Sequence, residues 1–570
     1  MATSAAPASP HPHALFLPYP AQGHVIPFME LAHRFLDRGF AVTFVNTRFN
    51  HRRVVAAAAG ATTAYSSEGG GRLRLVAVDD GIDDAGDHEN LILLNAAMQE
   101  AIPPQLEELL DGEDATGEGL GKVTCVVVDS GMSWALDVVR RRGLPSAALW
   151  PASAAVLSVL VNAKRLIRDG VIDDDGKISH ATRVCILVKV VAAIYGLHCR
   201  PHMLTCSHVI QRQSAFCRKL FQYLQEFENV YSEMHSWSPP IYKSFYATHD
   251  VSGNAIVYPY CVRLSFKSRV KSQFYVAGAP VNLENNSFHL NESATSMDAT
   301  FLAWNYMGNR DAERLVFHYL TSTAQAAAAK ADFLLCNTFS DIEPATILPI
   351  GPLRTWQRPT RHAPVGHFWH ADDAACMSFL DAQPRGSVVY VAFGSISIMT
   401  AAQLQELALG LEASGRPFLW VVRPEQADKL PDGFADAIDG LAKGKVVGWA
   451  PQEQVLGHPA VGCFVTHCGW NSTLEGIRNG LSMLCWPYFT DQFTNQTYIC
   501  DIWRVGLRVA SAEGGGLVMK ERVVELLDRI FEDEGAKERV LRLKEMAEKN
   551  MSEEGESLNN LNVLMESMGR

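Results

Sequence analysis

The feature that most constrains this chain is an alternation of strand-like and helix-like segments, which occurs twice. In the first 160 residues, apolar runs such as "HALFLPYP" (13–20) and "KVTCVVVDS" (122–130) each precede a segment with helical spacing of apolar residues. The pattern restarts with "GSVVYVAFGS" (386–395) and the amphipathic "TAAQLQELALGLEASG" (400–415). Strands that alternate with helices predict βαβ units on a parallel sheet. The sequence therefore predicts an α/β protein with two such units.

The length of 570 residues also favours two or three domains. A stretch that is rich in Pro and Gly and lacks periodicity separates the two α/β units, as a linker would. We place an N-terminal domain at 1–350, the linker at 351–372 and a C-terminal domain at 373–550. We expect the last segment, 551–570, to form a helix that packs back across the domains.

The overall charge and the cysteines exclude several classes of protein. The net charge of −12 argues against a general nucleic-acid binder, although helix ends can still hold a small phosphate-bearing ligand. The N-terminus lacks the features of a signal peptide, and no run of about 18 apolar residues is present. The 12 cysteines include no C-x-x-C pair, which is typical of reduced thiols. We expect a cytoplasmic protein, without a membrane segment or nucleic-acid partner, that is a monomer.

One region, about 178–277, breaks the alternation. Residues 181–277 hold 11 Lys and Arg against 4 Asp and Glu, a local charge of +7 (11 − 4). We interpret it as an insert, with translated non-coding sequence from a retained intron or a faulty gene model as the hypothesis. Zinc binding is an alternative, although the spacings match no common structural zinc pattern. Its candidate ligands are Cys199, His202, Cys206, His208 and Cys217.

The stretch "GCFVTHCGWNSTLEGIRNG" (462–480) concentrates polar groups around one predicted strand-to-helix turn. Asn471 or Ser472 is expected to cap the helix, whose free N–H groups would attract an anion. Ser472 and Glu475 have the spacing of a capping box, so Glu475 is either part of the cap or a ligand contact.

An aromatic residue and a pair of polar residues each follow a predicted strand. Trp449 comes after a strand and before a proline, where a flat ring can stack on a base. Asp491 and Gln492 follow another strand, and their side chains suit the hydroxyls of a sugar.

Residues 449–492 resemble the 44-residue signature of plant secondary-product UDP-glycosyltransferases, and about 470 of the 570 residues are similar to that family. The resemblance implies the GT-B fold, in which two Rossmann-like domains face each other across a cleft. It also implies an enzyme that transfers glucose from UDP-glucose to a hydroxyl of a small lipophilic acceptor of the plant secondary-metabolite or hormone class.

The resemblance further assigns a donor site. Trp449 would stack on uracil beside Ala450 and Gln452, and Glu475 would accept from the ribose hydroxyls. The residues around the diphosphate would be Ser395, His467, Asn471 and Ser472, and those around the sugar Trp470, Asp491 and Gln492. A final Gln in the signature usually accompanies glucose as donor.

His24 and Asp129 lie at the carboxyl ends of predicted parallel strands, the edge at which α/β sheets bind ligands. A lone His in a loop is more often a surface residue, but the resemblance implies that His24 is the general base and Asp129 its partner. A base with a pKa near neutrality suits the removal of a proton from an attacking hydroxyl. Attack from the face opposite UDP would invert the anomeric centre and give a β-glucoside.

The resemblance implies no metal and no cofactor, since the UDP-sugar is a co-substrate. The D-x-D spacing in "IDDDGK" (172–177) and the acidic "DDGIDDAGDHE" (79–89) are interpreted as loops, the second near the acceptor cleft, with metal binding as the weaker alternative. A nicotinamide-dependent oxidoreductase is disfavoured because "PAQGHV" stands where G-x-G-x-x-G is needed. An inactive nucleotide-sugar binder, its acceptor side disrupted by the insert, remains an alternative.

Overall fold

The computed structural model contains two parallel sheets with helices on their faces. The described residues are 11–57, 72–83, 86–88, 90–112, 120–178, 301–343, 347–353, 368–369, 371–441, 443–509 and 516–569, with the backbone of four two-residue strands between 275 and 298. Most of the predicted insert, including its five candidate zinc ligands, and most of the predicted linker lie outside these residues.

The N-terminal sheet has seven parallel strands in the order β7-β6-β5-β4-β1-β2-β3. The strands are β1 (His13–Leu17), β2 (Ala41–Thr47), β3 (Leu73–Val78), β4 (Cys125–Asp129), β5 (Ser146–Trp150), β6 (Phe333–Cys336) and β7 (Leu348–Pro349). The helices of this half are α1 (Gln22–Asp37), α2 (Arg48–Ala57), α3 (Leu91–Asp111), α4 (Ala135–Arg141) and α5 (Ala154–Val161), with α7 (Arg310–Lys330) after the insert. Strands β1, β4 and β5 are buried along their whole length, as near-continuous apolar runs in a covered parallel sheet should be.

Residues 162–300 are set apart from the rest of the chain, and the structure describes only parts of them. The described parts are α6 (Ala163–Arg168), a bridge between Ile172 and Ile178, and two antiparallel strand pairs. The pairs join Tyr275–Val276 to Ala279–Pro280 and Ser287–Phe288 to Met297–Asp298.

The C-terminal sheet has six parallel strands in the order β10-β9-β8-β11-β12-β13. The strands are β8 (Val388–Ala392), β9 (Phe418–Val421), β10 (Gly444–Val447), β11 (Val461–Thr466), β12 (Ser482–Cys485) and β13 (Gly506–Arg508). The helices are α8 (Asp373–Asp381), α9 (Ala401–Ala413), α10 (Pro424–Ala427), α11 (Phe434–Gly440), α12 (Gln452–Leu456), α13 (Trp470–Asn479), α14 (Gln492–Thr497), α15 (Lys520–Glu532), α16 (Glu534–Asn550) and α17 (Glu556–Met568). A π-helical turn, Tyr498–Ile502, follows α14.

Local signals explain the ends of the predicted helices. The Thr400 side chain accepts the N–H of Gln403 and caps α9, and Gly415 follows the helix with a φ of 65°, which favours glycine. Helix α1 begins at Gln22 and contains Pro27. The Ala21 carbonyl already accepts the N–H groups of His24 and Val25, so that His24 lies in the first helical turn.

The last helix, α17, packs on the N-terminal half of the molecule. Its residues Leu561 and Leu564 are fully buried in the same apolar cluster as Phe16 of β1 and Phe35 of α1. Asn560 donates to the Pro349 carbonyl at 2.9 Å. Because α16 and α17 run from the C-terminal sheet to this core, the end of the chain joins the two halves. In the part of the chain that the structure describes, no helix is long and apolar enough to cross a membrane.

Candidate active site

The His–Asp pair predicted from the sequence forms in the structure. Strands β1 and β4 are neighbours, so the turn after β1 and the end of β4 meet at the same sheet edge. His24 Nδ1 lies 2.8 Å from Asp129 Oδ2. Asp129 is fully buried, whereas 34% of the His24 side chain is exposed. The carboxylate thus holds one ring nitrogen, and Nε2 is the nitrogen through which His24 can exchange a proton.

A second set of contacts fixes the orientation of the Asp129 carboxylate. Its Oδ1 accepts the N–H of Gly131 at 2.8 Å. The hydroxyl of Tyr319 lies 2.9 Å from the Gly131 carbonyl and 3.0 Å from Asn95 Oδ1. A Cβ on Gly131 would lie 3.1 Å from Asp129 Oδ1 and 3.2 Å from Tyr319 Oη, so the turn is closely packed.

Two phenols, Tyr19 and Tyr319, enclose this pair, and the sequence interpretation missed both. The Tyr19 ring packs 5.1 Å from the His24 ring. Burial, together with the nearby Asp129 carboxylate, raises the pKa of each phenol above its usual value, so both are neutral at physiological pH. The position of Tyr19 after β1 could have suggested its proximity to His24, but nothing in the sequence links Tyr319 to Asp129.

The turn between β11 and α13 differs from the predicted cap. Gly469 is the N-cap residue of α13, and no side chain among the described residues caps the helix. The expected cap at Asn471 or Ser472 is therefore wrong, because the helix already begins at Trp470. Cys468 has a φ of 66°, which turns the chain sharply before the helix. A helix that starts at glycine leaves its first N–H groups available to an anion.

His467 lies between two glycines at this turn. A Cβ on Gly394 would lie 2.6 Å from His467 Nε2, and one on Gly469 would lie 2.5 Å from it. Within the described residues, the buried Nδ1 has no hydrogen-bond partner. Burial lowers the pKa of His467 to about 4, so the ring is neutral at physiological pH. The unpartnered nitrogen is a group that a ligand at this turn could satisfy.

Gln452 connects two other predicted donor residues, Ser472 and Glu475. Its Nε2 donates to Ser472 Oγ at 3.0 Å and to Glu475 Oε2 at 2.6 Å. Its Oε1 accepts the hydroxyl of Tyr390 at 3.1 Å. The side chains of Ser472 and Glu475 therefore belong to one polar cluster beside α12, and Glu475 is half-buried rather than part of a cap.

Trp449 follows β10 and is half-buried, and Ala450 beside it is buried. The Trp449 ring stacks on Trp369, with ring centroids 4.5 Å apart and planes inclined by 26°. Trp369 was not among the predicted site residues, since it lies 80 positions earlier at the end of the linker.

Ser395 lies in the loop after β8, which Arg423 holds from below. The guanidinium of Arg423, only 8% exposed, donates to the carbonyls of Ser395 and Ser397. Gln426 accepts the N–H of Met399 at 2.9 Å. These buried contacts fix the backbone at Ser395. They could not be predicted from the sequence, because Arg423 follows a different strand.

The three residues predicted around the sugar have different surroundings. Trp470 is 3% exposed, and its indole N–H donates to the Asn337 carbonyl at 2.8 Å. Gln492 Oε1 accepts the N–H of Tyr488 at 2.8 Å, which leaves its amide NH₂ for other partners. Asp491 accepts from Asn495 at 2.8 Å. Burial raises the pKa of Asp491, against the opposing effect of the hydrogen bonds that its carboxylate accepts from Asn495 and Thr490.

The two halves of the site meet directly. Asn471 Nδ2 donates to the carbonyl of Gly23 at 2.7 Å. Gly23 immediately precedes His24, and Asn471 lies in the first turn of α13. His24 of the N-terminal half therefore lies beside the first turn of α13 in the C-terminal half. This arrangement suits the removal of a proton next to a bound anion.

The acidic loops have local roles in the structure. Asp173 Oδ1 accepts the N–H groups of Asp175 and Lys177, so "IDDDGK" forms its own turn. Asp80 pairs with His88 at 3.1 Å. Among the residues that the structure describes, no three His, Cys, Asp or Glu side chains come together as a metal site would require.

Comparison with known proteins agrees with this architecture. The family model described as "UDP-glucoronosyl and UDP-glucosyl transferase" matches residues 358–551. UDP-glycosyltransferase 83A1 of Arabidopsis thaliana is 30% identical over 97% of this chain and 95% of its own. (R)-mandelonitrile beta-glucosyltransferase of Prunus dulcis is 27% identical over 96% of this chain and 95% of its own.

Solved structures share the fold. Os79 from O. sativa in complex with UDP superposes with a TM-score of 0.65 at 23% identity, covering 97% of this chain and 100% of that one. UGT71G1 of Medicago truncatula, complexed with UDP-glucose, gives 0.61 at 20% identity, covering 98% and 99%. The two parallel sheets with their helices form the GT-B fold. The chain belongs to the plant UDP-glycosyltransferase family.

Proposed function

We propose that this enzyme transfers glucose from UDP-glucose to a hydroxyl of a small lipophilic acceptor, with inversion, to give a β-glucoside. The observation that carries the proposal is the hydrogen bond from Asn471 to Gly23, which joins the His24–Asp129 pair to the N-terminus of α13. A proton acceptor and an anion site are thereby next to each other.

On the acceptor side, His24 is the proposed base. Asp129 holds Nδ1 at 2.8 Å, which keeps the proton of the neutral ring on Nδ1 and leaves Nε2 as the acceptor. As Nε2 takes the proton of the hydroxyl, the buried carboxylate stabilises the imidazolium that forms. The oxygen then attacks the anomeric carbon, and the bond to UDP breaks on the opposite face.

On the donor side, the uncapped N-terminus of α13 is the proposed binding site for the diphosphate. Because His467 is neutral, we assign it the role of an N–H donor through its unpartnered Nδ1 rather than that of a cation. Both features stabilise the charge that grows on UDP as it leaves. Glu475 is the proposed partner of the ribose, and Trp449 that of uracil.

Around the sugar, we assign hydroxyl contacts to Asp491 and to the free amide NH₂ of Gln492. The indole N–H of Trp470 is engaged with Asn337, so a contact from this residue would use its ring or its backbone N–H. Glucose is supported by the final Gln of the signature and by the glucosyltransferase name of the Prunus dulcis relative. The same name, with its mandelonitrile acceptor, supports a small hydroxyl-bearing acceptor.

In the proposed reaction, α13 and His467 stabilise the negative charge that grows on UDP, and no divalent cation is required. We expect initial rates to be unchanged in excess EDTA, and a loss of activity that Mg²⁺ restores would contradict this. We also propose that the enzyme works as a cytoplasmic monomer, for which size-exclusion chromatography with light scattering is the test of the oligomeric state.

The test of the function is transfer itself, measured with UDP-glucose and a panel of phenols and small alcohols. We expect His24→Ala to abolish glucoside formation while UDP still binds by calorimetry. His458 is a matched control, because it pairs with Asp381 at 3.2 Å before β11. His458→Ala should retain activity. Turnover by His24→Ala would refute the base assignment, and UDP binding by the wild-type chain without any product would favour an inactive nucleotide-sugar binder.

A further inference from the structure

The indole of Trp449 does not stand alone in the structure. Trp369 stacks on one of its faces, with centroids 4.5 Å apart and planes inclined by 26°. The Arg53 guanidinium lies over the Trp369 ring at 4.5 Å and over the Phe368 ring at 5.0 Å. Arg53 belongs to α2 of the N-terminal half, so the stack Arg53–Trp369–Trp449 runs from one half of the enzyme to the other.

Both faces of Trp369 are therefore covered. A ring between a guanidinium and a second indole is held by cation–π attraction on one side and by stacking on the other. Displacing the Trp369 ring to make room for a nucleobase would break both contacts. A nucleobase that stacks on Trp449 would therefore have to use the opposite face of that indole.

The segment that carries Trp369 also contacts the start of α1. The N–H of Phe368 donates to Gln22 Oε1 at 2.9 Å, and Gln22 is only 6% exposed. Gln22 lies two residues before His24. The end of the linker thus contacts both the first turn of α1, which carries His24, and Trp449, which is proposed to stack on uracil.

We propose that Trp369 is a donor-positioning residue, which backs one face of Trp449 and directs uracil to the other face. This inference rests on the proposed function, in which Trp449 stacks on uracil. A backed indole keeps its orientation in the free enzyme, so less ordering remains when the base binds. Trp369 acts through Trp449 and does not itself touch the nucleotide.

The test separates the base from the diphosphate by calorimetry with UDP and uridine and by inhibition with inorganic pyrophosphate. For Trp369→Ala we expect the dissociation constants of UDP and uridine to rise about tenfold each. The inhibition constant of pyrophosphate should change less than twofold. Trp369→Phe, which keeps a stacking ring, should remain within about threefold of wild type, and Arg53→Met should weaken UDP about threefold.

A second measurement tests whether Trp369 acts through Trp449. In a Trp449→Ala background, Trp369→Ala should weaken UDP no further, because the platform is already absent. This comparison and the Trp369→Phe and Arg53→Met variants remain informative if Trp369→Ala alone folds poorly.

Several results would overturn the proposal. Unchanged UDP affinity in Trp369→Ala would show that the backing ring is dispensable. Tighter UDP binding would show that Trp369 occupies the place of the base, and equal losses for UDP and pyrophosphate would indicate a general structural role. A wild-type enzyme that fails to bind UDP would instead refute the proposed function.

Discussion

Replacing Asp129 with Asn tests the role of the carboxylate while leaving its shape almost unchanged. Asp129 Oδ1 accepts the Gly131 N–H at 2.8 Å, and Oδ2 lies 2.8 Å from His24 Nδ1. The amide must keep its oxygen toward Gly131, because an NH₂ group there would face another donor. Its NH₂ group then donates to His24 Nδ1. The ring must accept at Nδ1 and carry its proton on Nε2, so it cannot take a proton from the acceptor hydroxyl.

The size of the effect follows from these contacts. Turning the amide over would leave the part-buried Gly131 N–H without an acceptor, which costs about 1–3 kcal/mol. The ring form with a free Nε2 thus becomes about 5–160 times rarer, since each 1.36 kcal/mol is a factor of ten. The variant also loses the negative charge that stabilises the imidazolium. General-base catalysis contributes about 10²–10⁴ to rate, and we expect kcat to fall by a factor in that range.

The assay is initial-rate kinetics at saturating UDP-glucose and acceptor, with UDP affinity measured separately by calorimetry. Asp332→Asn is a suitable control, because Asp332 Oδ2 accepts from the N–H of Ser146 at 2.8 Å at the opposite edge of the same sheet. We expect the control to keep its kcat and both variants to keep their UDP affinity. An Asp129→Asn enzyme with more than a tenth of the wild-type kcat would refute the tautomer argument.

Three other substitutions are expected to give distinct results. Burial raises the pKa of the Glu343 carboxyl from its usual 4.5 to about 7, so the folded state binds more protons and the free energy of unfolding falls as the pH rises through this window. At 1.36 kcal/mol per pKa unit, Glu343 accounts for about 3 kcal/mol of the fall in the free energy of unfolding. Denaturation between pH 4 and 8 should therefore show a smaller fall in this free energy for Glu343→Gln than for the wild type. An equal fall in both proteins would contradict this. Gly394→Ala should weaken UDP at least tenfold in calorimetry, because its Cβ would lie 2.6 Å from His467 Nε2, whereas Gly433→Ala, at a similar positive φ with open space around it, should not. Trp470→Phe removes the N–H donated to Asn337, and we expect a lower melting temperature; equal melting temperatures would show that this bond adds no stability.

The order of strands and helices could be predicted because its signals are local. An apolar β-branched run such as Cys125–Asp129 predicts a strand, and an amphipathic run such as Ala401–Ala413 predicts a helix. The parallel pairing then brings His24 and Asp129 to one sheet edge, although they are 105 positions apart. The segment 551–570, which we expected to form a helix, contains α17 (Glu556–Met568). Its sequence alone could not predict that Phe16 lies in the same buried cluster.

The contacts that align the two halves could not be predicted, because each depends on a partner far away in the chain. Trp470 donates a hydrogen bond to the carbonyl of Asn337, which lies 133 positions earlier in the chain. Tyr319 donates one to the carbonyl of Gly131, which lies 188 positions earlier. A tryptophan and a tyrosine at such positions are equally compatible with a core or with a ligand contact. Their polar atoms must be satisfied when buried, but the sequence does not say by which group.

The turn at 462–480 shows why a local pattern can mislead at a binding site. Ser472 and Glu475 have the spacing of a capping box, yet both side chains contact Gln452 instead. A capping box would have satisfied the N–H groups at the start of α13, which would then compete with an anion for them. Gly469 at the N-cap satisfies none of them by a side chain, which lowers the stability of the isolated turn. The uncapped start of α13 and the unpartnered His467 Nδ1 therefore predict that UDP raises the melting temperature of this enzyme. Gly469→Ser should lose much of that increase, both because it adds a cap and because its Cβ would lie 2.5 Å from His467 Nε2.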